Sequence, residues 1–207
     1  MDNYRISADR AQQYFLRYDQ AAIASAWQLS IDSGTLYADF LGRPYGICRK
    51  TGEMTRLWSG ERAQFGEVLS LFDLLCHEGS CKYASGKLAP VNSLKGRPVT
   101  AGVGTDFHLQ TAAFFEADPE AFRQACENLG GTAVAQGDIG YRFSVFADLP
   151  VVLKFYGSDE DFPASVTLLW DENMLSYVYY ETVFYIAGFL LGEICREMAR
   201  IKEKKVC

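Results

Sequence analysis

The side chains with the clearest capacity for chemistry are carboxylates in two short loops of the second half of the chain. Asp138 lies in one loop, and Asp159 and Asp161 lie in the other, at residues 157–162. Alternate connections of an antiparallel meander lie at the same end of the sheet, so the two loops are predicted to meet. Carboxylate oxygens suit Mg²⁺ or Ca²⁺, which makes the three residues candidate metal ligands. The alternatives are a solvated hairpin tip and a turn in which Asp159 or Asp161 accepts backbone N–H groups.

A second candidate metal site is the Cys76-His77-x3-Cys81 segment at the end of a predicted helix. Thiolate and imidazole groups are the ligands that Zn²⁺ prefers, and a fourth ligand would come from Cys48 or His108. The alternative is structural, because Cys76 continues the buried face of the helix, where a free cysteine packs as a small apolar residue.

Motifs for nucleophilic catalysis and for phosphate binding are incomplete. His77 and His108 are the only histidines, and the chain has no Gly-x-Ser-x-Gly segment. Residues 102–106 contain two glycines before a predicted helix, but they lack the third glycine of a dinucleotide site and the lysine of a Walker loop. The sequence therefore predicts no evident catalytic machinery, and it identifies no cofactor.

Aromatic side chains form the fourth candidate group. Tyr180 and Phe184 lie on the apolar last helix, and Tyr141 and Phe155 lie on strands that this helix is expected to cover. These four residues are candidate ligand-binding residues for a small apolar molecule. Plain core packing is one alternative, and a surface for a protein partner or for a second copy of the chain is the other.

The elements that must position these residues follow from periodicity and turn chemistry. Residue spacing in the first half predicts helices within residues 7–31, with a break near Asp19, and a helix over 62–76. It also predicts a small antiparallel meander between them, a loop-rich connection, and two further helices, the second with Asp118 as N-cap and Pro119 as its first residue. The predicted strands are residues 36–40, 45–49 and 54–58, the connection is 82–104, and the two helices are 106–116 and 119–129.

The second half predicts a four-stranded antiparallel meander followed by a long helix over residues 177–204. The predicted strands are 132–136, 139–147, 151–156 and 165–170. The fold class is therefore α+β: a four-stranded meander packed by a long C-terminal helix, with an N-terminal helix and the small meander alongside. Residues 1–207 are predicted to form a single domain, with the 82–104 connection as the alternative boundary.

Composition restricts the classes of partner. The 207 residues carry 20 Lys and Arg against 26 Asp and Glu, a net charge of −6, which disfavours nucleic acid because phosphate binding needs a basic face. The most apolar stretch, residues 182–192, is shorter than the roughly 20 residues that span a membrane. The polar N-terminus lacks a secretory pattern, and the six dispersed cysteines suit a reducing compartment, so a cytoplasmic location is expected.

A set of short motifs resembles a domain-of-unknown-function family, number 3786. The motifs are Leu129-Gly130-Gly131, Gly137-Asp138, Leu149-Pro150, the segment 157–164, Leu168-Leu169-Trp170-Asp171, and residues 40–45 of the first meander. The resemblance implies a fold grouping and a setting in the metabolism of mostly anaerobic bacteria, but no activity. Some family members carry an added iron–sulfur module, and its run of cysteines is absent from this sequence.

The expected function is that of a cytoplasmic accessory protein that binds a ligand or cofactor. An apolar pocket between the last helix and the sheet would favour this hypothesis. Two alternatives are a metal-assisted enzyme that uses the acidic loops, and a homo-oligomeric or partner-docking module built on the aromatic helix.

Overall fold

The structure is a computed structural model that describes residues 3–77, 83–98 and 106–206. Within these ranges the chain forms six α-helices and eight β-strands. The helices are α1 (Asn3–Phe15), α2 (Gln20–Trp27), α3 (Phe65–Cys76), α4 (Asp106–Glu116), α5 (Pro119–Asn128) and α6 (Tyr180–Val206). The strands are β1 (Thr35–Phe40), β2 (Arg43–Cys48), β3 (Met54–Arg56), β4 (Leu88–Pro90), β5 (Thr132–Ala133), β6 (Ile139–Phe146), β7 (Leu149–Tyr156) and β8 (Ser165–Asp171).

The strands form two antiparallel sheets, which confirms the α+β class. The small sheet has the order β1-β2-β3, and the large sheet has the order β4-β8-β7-β6-β5. The meander of β5 to β8 was predicted, but the four-stranded sheet was wrong because a fifth strand, β4, pairs with the edge of β8. The two sheets are linked by a hydrogen bond from Leu41 N–H to the Val145 carbonyl, at 2.9 Å.

The buried carboxylate of Asp171 explains why β4 joins the sheet. Its Oδ2 accepts the Gly86 N–H at 2.8 Å and the Ser85 hydroxyl at 3.2 Å, just before β4 begins. The connection predicted over 82–104 is therefore partly ordered by a residue that lies 85 positions away. Pro90 is tolerated because an edge strand leaves one side of its backbone unpaired.

Helix α6 is the central element of the fold and confirms the predicted long C-terminal helix. It packs mainly against α3 and α5. Phe189 of α6 lies 5.2 Å from Phe40 of β1, and Tyr185 lies 5.3 Å from Phe65 of α3, both between ring centroids. No helix in the described ranges is both long and apolar enough to cross a membrane.

Helices α4 and α5 cover the aromatic side chains of the large sheet. Phe115 of α4 stacks on Phe122 of α5 at 4.2 Å, and the Phe122 ring lies 5.6 Å from Phe155 of β7. The hydroxyl of Tyr141 donates to the Glu127 carboxylate of α5 at 3.1 Å. The pattern had indicated α6 as the cover for Tyr141 and Phe155. The rings pack instead against α4 and α5, which follow the predicted loop and return to the sheet.

Short-range signals in the sequence locate the starts of α2 and α5 correctly. Asp19, the predicted break, is the N-cap of α2 and accepts the N–H groups of Ala21 and Ala22. Asp118 caps α5 by accepting the Ala121 N–H, with Pro119 at the first helical position. Both caps use a side-chain oxygen for backbone donors that the first helical turn leaves unpaired.

Candidate functional site

The two acidic loops meet at one end of the large sheet, as predicted. Asp138 Oδ2 accepts the Gly157 N–H at 2.9 Å, so the two loops are in direct contact. Asp159 Oδ1 accepts the N–H groups of Asp161 and Phe162 at 2.9 and 2.8 Å. The carboxylates of Asp138 and Asp159 therefore hold backbone turns, which supports the turn alternative. Among the residues that the structure describes, no group of three His, Cys, Asp or Glu side chains is arranged to hold a metal ion.

Replacing Asp159 by Ala is expected to lower the free energy of unfolding by about 1 kcal/mol, because two backbone N–H groups lose a local acceptor. Asp159→Asn keeps an acceptor oxygen and should cost less. Asp161→Ala is the matched control, since its exposed side chain is expected to contribute less than about 0.5 kcal/mol. Urea unfolding measures all three variants. Equal losses for Asp159→Ala and Asp161→Ala would contradict the turn interpretation.

The Cys76-His77 pair lies at the C-terminus of α3. Cys76 is the last residue of α3, and His77 caps the helix by donating its N–H to the Asp73 carbonyl at 2.8 Å. The His77 ring lies edge-on to Tyr179 with 4.6 Å between ring centroids, and in the described part of the chain its Nδ1 is buried without a hydrogen-bond partner. Cys81 lies outside the described residues, as does the side chain of His108. The zinc hypothesis therefore stays a prediction.

His77 lies in the wall of a groove of about 490 Å³ between α1, α3 and the start of α6. Four tyrosines line this groove, together with two carboxylates, and Leu69 and Phe72 add apolar surface. We call it the tyrosine groove; its principal residues are Tyr14, Tyr18, Asp73, His77, Tyr179, Glu181 and Tyr185.

Asp73 places a half-buried carboxylate in the tyrosine groove. Its Oδ2 accepts a hydrogen bond from the Thr182 hydroxyl, and it lies 3.4 Å from the Tyr179 N–H. Burial raises the pKa of Asp73 above its ordinary value, although these two hydrogen bonds and His77 act in the opposite direction. Asp73 was not a sequence candidate. The sequence signal that could have identified Asp73 is its spacing of four residues from His77, the C-cap of α3, because residues four apart lie on one face of a helix.

An apolar cavity lies between the last helix and the large sheet. A cavity of about 300 Å³ lies between α6, β8 and the β4 edge, lined by side chains that include Trp170, Val183 and Phe184. Of the four candidate aromatic residues, only Phe184 lines this cavity. The Tyr180 ring lies 5.3 Å from the Phe184 ring, and its hydroxyl is buried with no hydrogen-bond partner among the described residues. Tyr141 and Phe155 contact α4 and α5 instead, as described above.

Comparisons with known proteins give one match. A family model described as a domain of unknown function, DUF3786, matches residues 19–193. No curated protein and no solved structure matches the chain. The matched segment contains Asp73, His77, Tyr179 and Tyr185 of the tyrosine groove, whereas Tyr14 and Tyr18 precede it.

Proposed function

We propose a function for this chain, which belongs to the DUF3786 family of domains of unknown function: it is a ligand-binding protein that holds a small organic cation in the tyrosine groove. The observation that carries the proposal is the combination, in one groove, of four tyrosine rings with the carboxylates of Asp73 and Glu181. The groove volume of about 490 Å³ lies within the range of small-molecule sites.

Exposed aromatic rings at the groove support a binding role. Tyr14 and Tyr179 leave 59% and 62% of their surface in contact with solvent. Large apolar rings that are exposed beside a concave surface mark ligand or partner sites more often than isolated exposed residues do. A ligand that covers both rings would remove this apolar surface from water.

The charges of the groove select a cation. Among its described lining residues there are two carboxylates and neither lysine nor arginine. The face of a tyrosine ring is electron-rich and attracts ammonium and guanidinium groups. The guanidinium of Arg17 already lies 5.1 Å from the Tyr14 ring centroid, so one ring at this rim has a cation on its face.

Two polar groups of the groove have binding capacity that the fold leaves available. Desolvation of the Asp73 carboxylate raises its pKa, and a bound cation would offset that desolvation. His77 Nδ1 is buried and has no partner within residues 3–77, 83–98 and 106–206, and an imidazole nitrogen either accepts or donates a hydrogen bond according to its tautomer. A ligand with an ammonium group and a short aromatic body satisfies the carboxylates, the rings and this nitrogen together.

The proposal is tested by calorimetry with benzyltrimethylammonium as the probe. We expect saturable binding of this cation, with benzyl alcohol and benzoate binding at least about tenfold more weakly, because the charge contributes roughly 1.4 kcal/mol or more. Asp73→Asn should weaken cation binding by about tenfold, and Tyr179→Ala by about threefold. Tyr156→Ala removes an exposed tyrosine from a different surface and should leave the affinity unchanged.

The pH dependence gives a second readout. Cation binding needs the Asp73 carboxylate, so the affinity falls as the pH is lowered through its pKa. Burial raises that pKa, and the fall therefore begins at a higher pH than for an exposed aspartate. The difference between wild type and Asp73→Asn isolates the contribution of the aspartate to this pH dependence.

Two outcomes would overturn the proposal: equal affinities for benzyltrimethylammonium and benzyl alcohol, or cation binding that Asp73→Asn and Tyr179→Ala leave unchanged. Preferential binding of benzyl alcohol that Tyr179→Ala does not alter would favour the second candidate function. That candidate is binding of an apolar ligand in the cavity beside Phe184, which the presence of the cavity supports. The metal-assisted and homo-oligomeric hypotheses stay predictions.

A further inference from the structure

A second polar cavity lies on the opposite half of α6 from the tyrosine groove. It measures about 340 Å³ and lies between the start of β2, the end of β3 and the C-terminal half of α6. We call it the arginine pocket. Its walls are formed by Arg43, Arg56, Trp58, Gln64, Arg196 and Arg200, together with Glu193 and Glu197.

Helical spacing places the α6 side of the arginine pocket. Arg196 and Arg200 are four residues apart, as are Glu193 and Glu197, so each pair lies on one face of the helix. The Glu193 carboxylate accepts a hydrogen bond from Arg196. It accepts another from Arg43 Nη2 at 3.3 Å. The Glu197 carboxylate accepts a hydrogen bond from Arg200 Nη1 at 2.8 Å. The glutamates thus hold the guanidinium groups at the wall.

A buried network fixes Arg56 on the opposite wall. Arg56 Nε and Nη2 donate hydrogen bonds to the two carboxylate oxygens of Glu67, at 2.8 and 2.5 Å. The Glu67 side chain is buried, with 2% of its surface exposed. Tyr45 donates its hydroxyl to the same carboxylate at 2.5 Å, and the Gln64 N–H donates to it at 2.8 Å. A buried ion pair is a weak contributor to net stability, so its precise geometry points to positioning of Arg56.

Trp58 orients two of the arginines. The guanidinium carbons of Arg43 and Arg56 lie 5.4 and 5.9 Å from the centroid of the Trp58 ring. Contact with an aromatic face restricts a planar guanidinium group more than it restricts an ammonium group. The donors of Arg43 and Arg56 are therefore held in place before any ligand arrives.

Among the residues that the structure describes, Arg43 Nε is buried and has no hydrogen-bond partner. An N–H donor removed from water without an acceptor is destabilising, more so when it is charged, and such groups are rare in folded proteins. Nη2 of Arg43 donates to Glu193 at 3.3 Å, which is a long distance for a charge-assisted hydrogen bond. Arg43 is therefore an arginine with unused donor capacity in a pocket that contains three others.

We infer that the arginine pocket binds an oxyanion, meaning a phosphate or carboxylate group of a small molecule. The pocket is lined by four guanidinium groups and two carboxylates. Two further carboxylates, those of Glu67 and the exposed Glu61, pair with Arg56, so the positive charges are largely balanced. Net charge is therefore not the main attraction. The attraction is the set of oriented N–H forks, which match the geometry of phosphate and carboxylate oxygens. This site is separate from the tyrosine groove and does not depend on its ligand.

The direct test is a proton–nitrogen correlation spectrum of the arginine Nε–H groups, with the Arg43 signal assigned by its loss in Arg43→Lys. Pyrophosphate and citrate are the two probes, titrated at constant ionic strength set with sodium chloride. We expect the Arg43 signal and the Trp58 indole signal to shift and saturate together. Tighter binding of pyrophosphate identifies a phosphorylated ligand, and tighter binding of citrate identifies a carboxylate ligand; both support the inference.

Three variants distinguish a built site from general screening. Arg43→Lys retains the charge but removes the fork, and it should weaken binding at least about tenfold. Arg200→Gln alters a mostly exposed side chain, so the fold is retained, and it should weaken binding about threefold. Arg62→Gln is the control, because Arg62 is 72% exposed and pairs with Glu53 outside the pocket. Shifts that do not saturate, or equal losses in Arg200→Gln and Arg62→Gln, would overturn the inference.

Discussion

Glu67→Ala is expected to lower the free energy of unfolding, measured by urea titration, by about 3–5 kcal/mol. The substitution leaves Arg56, whose side chain is mostly buried, without its two-pronged carboxylate partner. It also removes the acceptor of the Tyr45 hydroxyl and of the Gln64 N–H. Burial and the neighbouring Glu67 raise the pKa of Tyr45 well above its usual range, so this phenol remains a donor that needs an acceptor.

A double variant separates the loss of the carboxylate from the loss of packing. Arg56→Met combined with Glu67→Leu replaces the ion pair by apolar groups and should recover part of the stability, because the Tyr45 hydroxyl and the Gln64 N–H still lack an acceptor. Glu61→Ala removes the exposed partner of Arg56 and should cost less than about 1 kcal/mol. If Glu67→Ala costs no more than Glu61→Ala, the buried network does not constrain this part of the fold. The double variant should also lose oxyanion binding, because Arg56 is one wall of the arginine pocket.

Phe122→Ala is expected to lower the free energy of unfolding by about 3–5 kcal/mol, because it opens a cavity between α5 and the large sheet. The Phe122 ring is fully buried, stacks on Phe115 and contacts the edges of Phe155 and Tyr141. The Phe122 ring thereby joins α5 to α4, β6 and β7. Thermal and urea unfolding measure the loss.

Phe162→Ala is the matched control for Phe122→Ala. Phe162 lies in the loop between β7 and β8 and is 69% exposed, so its loss should change stability by less than about 0.5 kcal/mol. A similar cost for both variants would mean that α4 and α5 do not form the cover of the large sheet. The cation probe for the tyrosine groove and the oxyanion probe for the arginine pocket should still bind to Phe162→Ala.

One helix lines both proposed sites. Residues 179–185, at the start of α6, contribute to the tyrosine groove, and residues 193–200 contribute to the arginine pocket. Asp73 accepts hydrogen bonds from the first turn of α6, where the helix dipole favours a negative charge. The acidic character of the groove thus agrees with the local field of the helix, and a cation bound there would pair with Asp73 rather than with the helix end.

The amino-acid sequence by itself determined the local features of this protein. Alternating apolar residues predicted β6, β7 and β8, and Asp19 and Asp118 marked helix starts. The meander topology placed Asp138 and Gly157 at the same end of the sheet, because neighbouring antiparallel strands leave no other arrangement. These features depend on the conformation of residues that are close in sequence. Residue periodicity and turn residues indicate that conformation directly.

Only the tertiary structure decided which distant residues meet. Arg43 contacts Glu193 across 150 positions, Thr182 contacts Asp73 across 109, and Asp171 orders the start of β4 across 85. Periodicity shows that a residue faces inward, but it does not identify the partner, because that choice depends on how whole helices and sheets pack. The tyrosine groove and the arginine pocket, which are built from such distant contacts, were therefore absent from the sequence pattern.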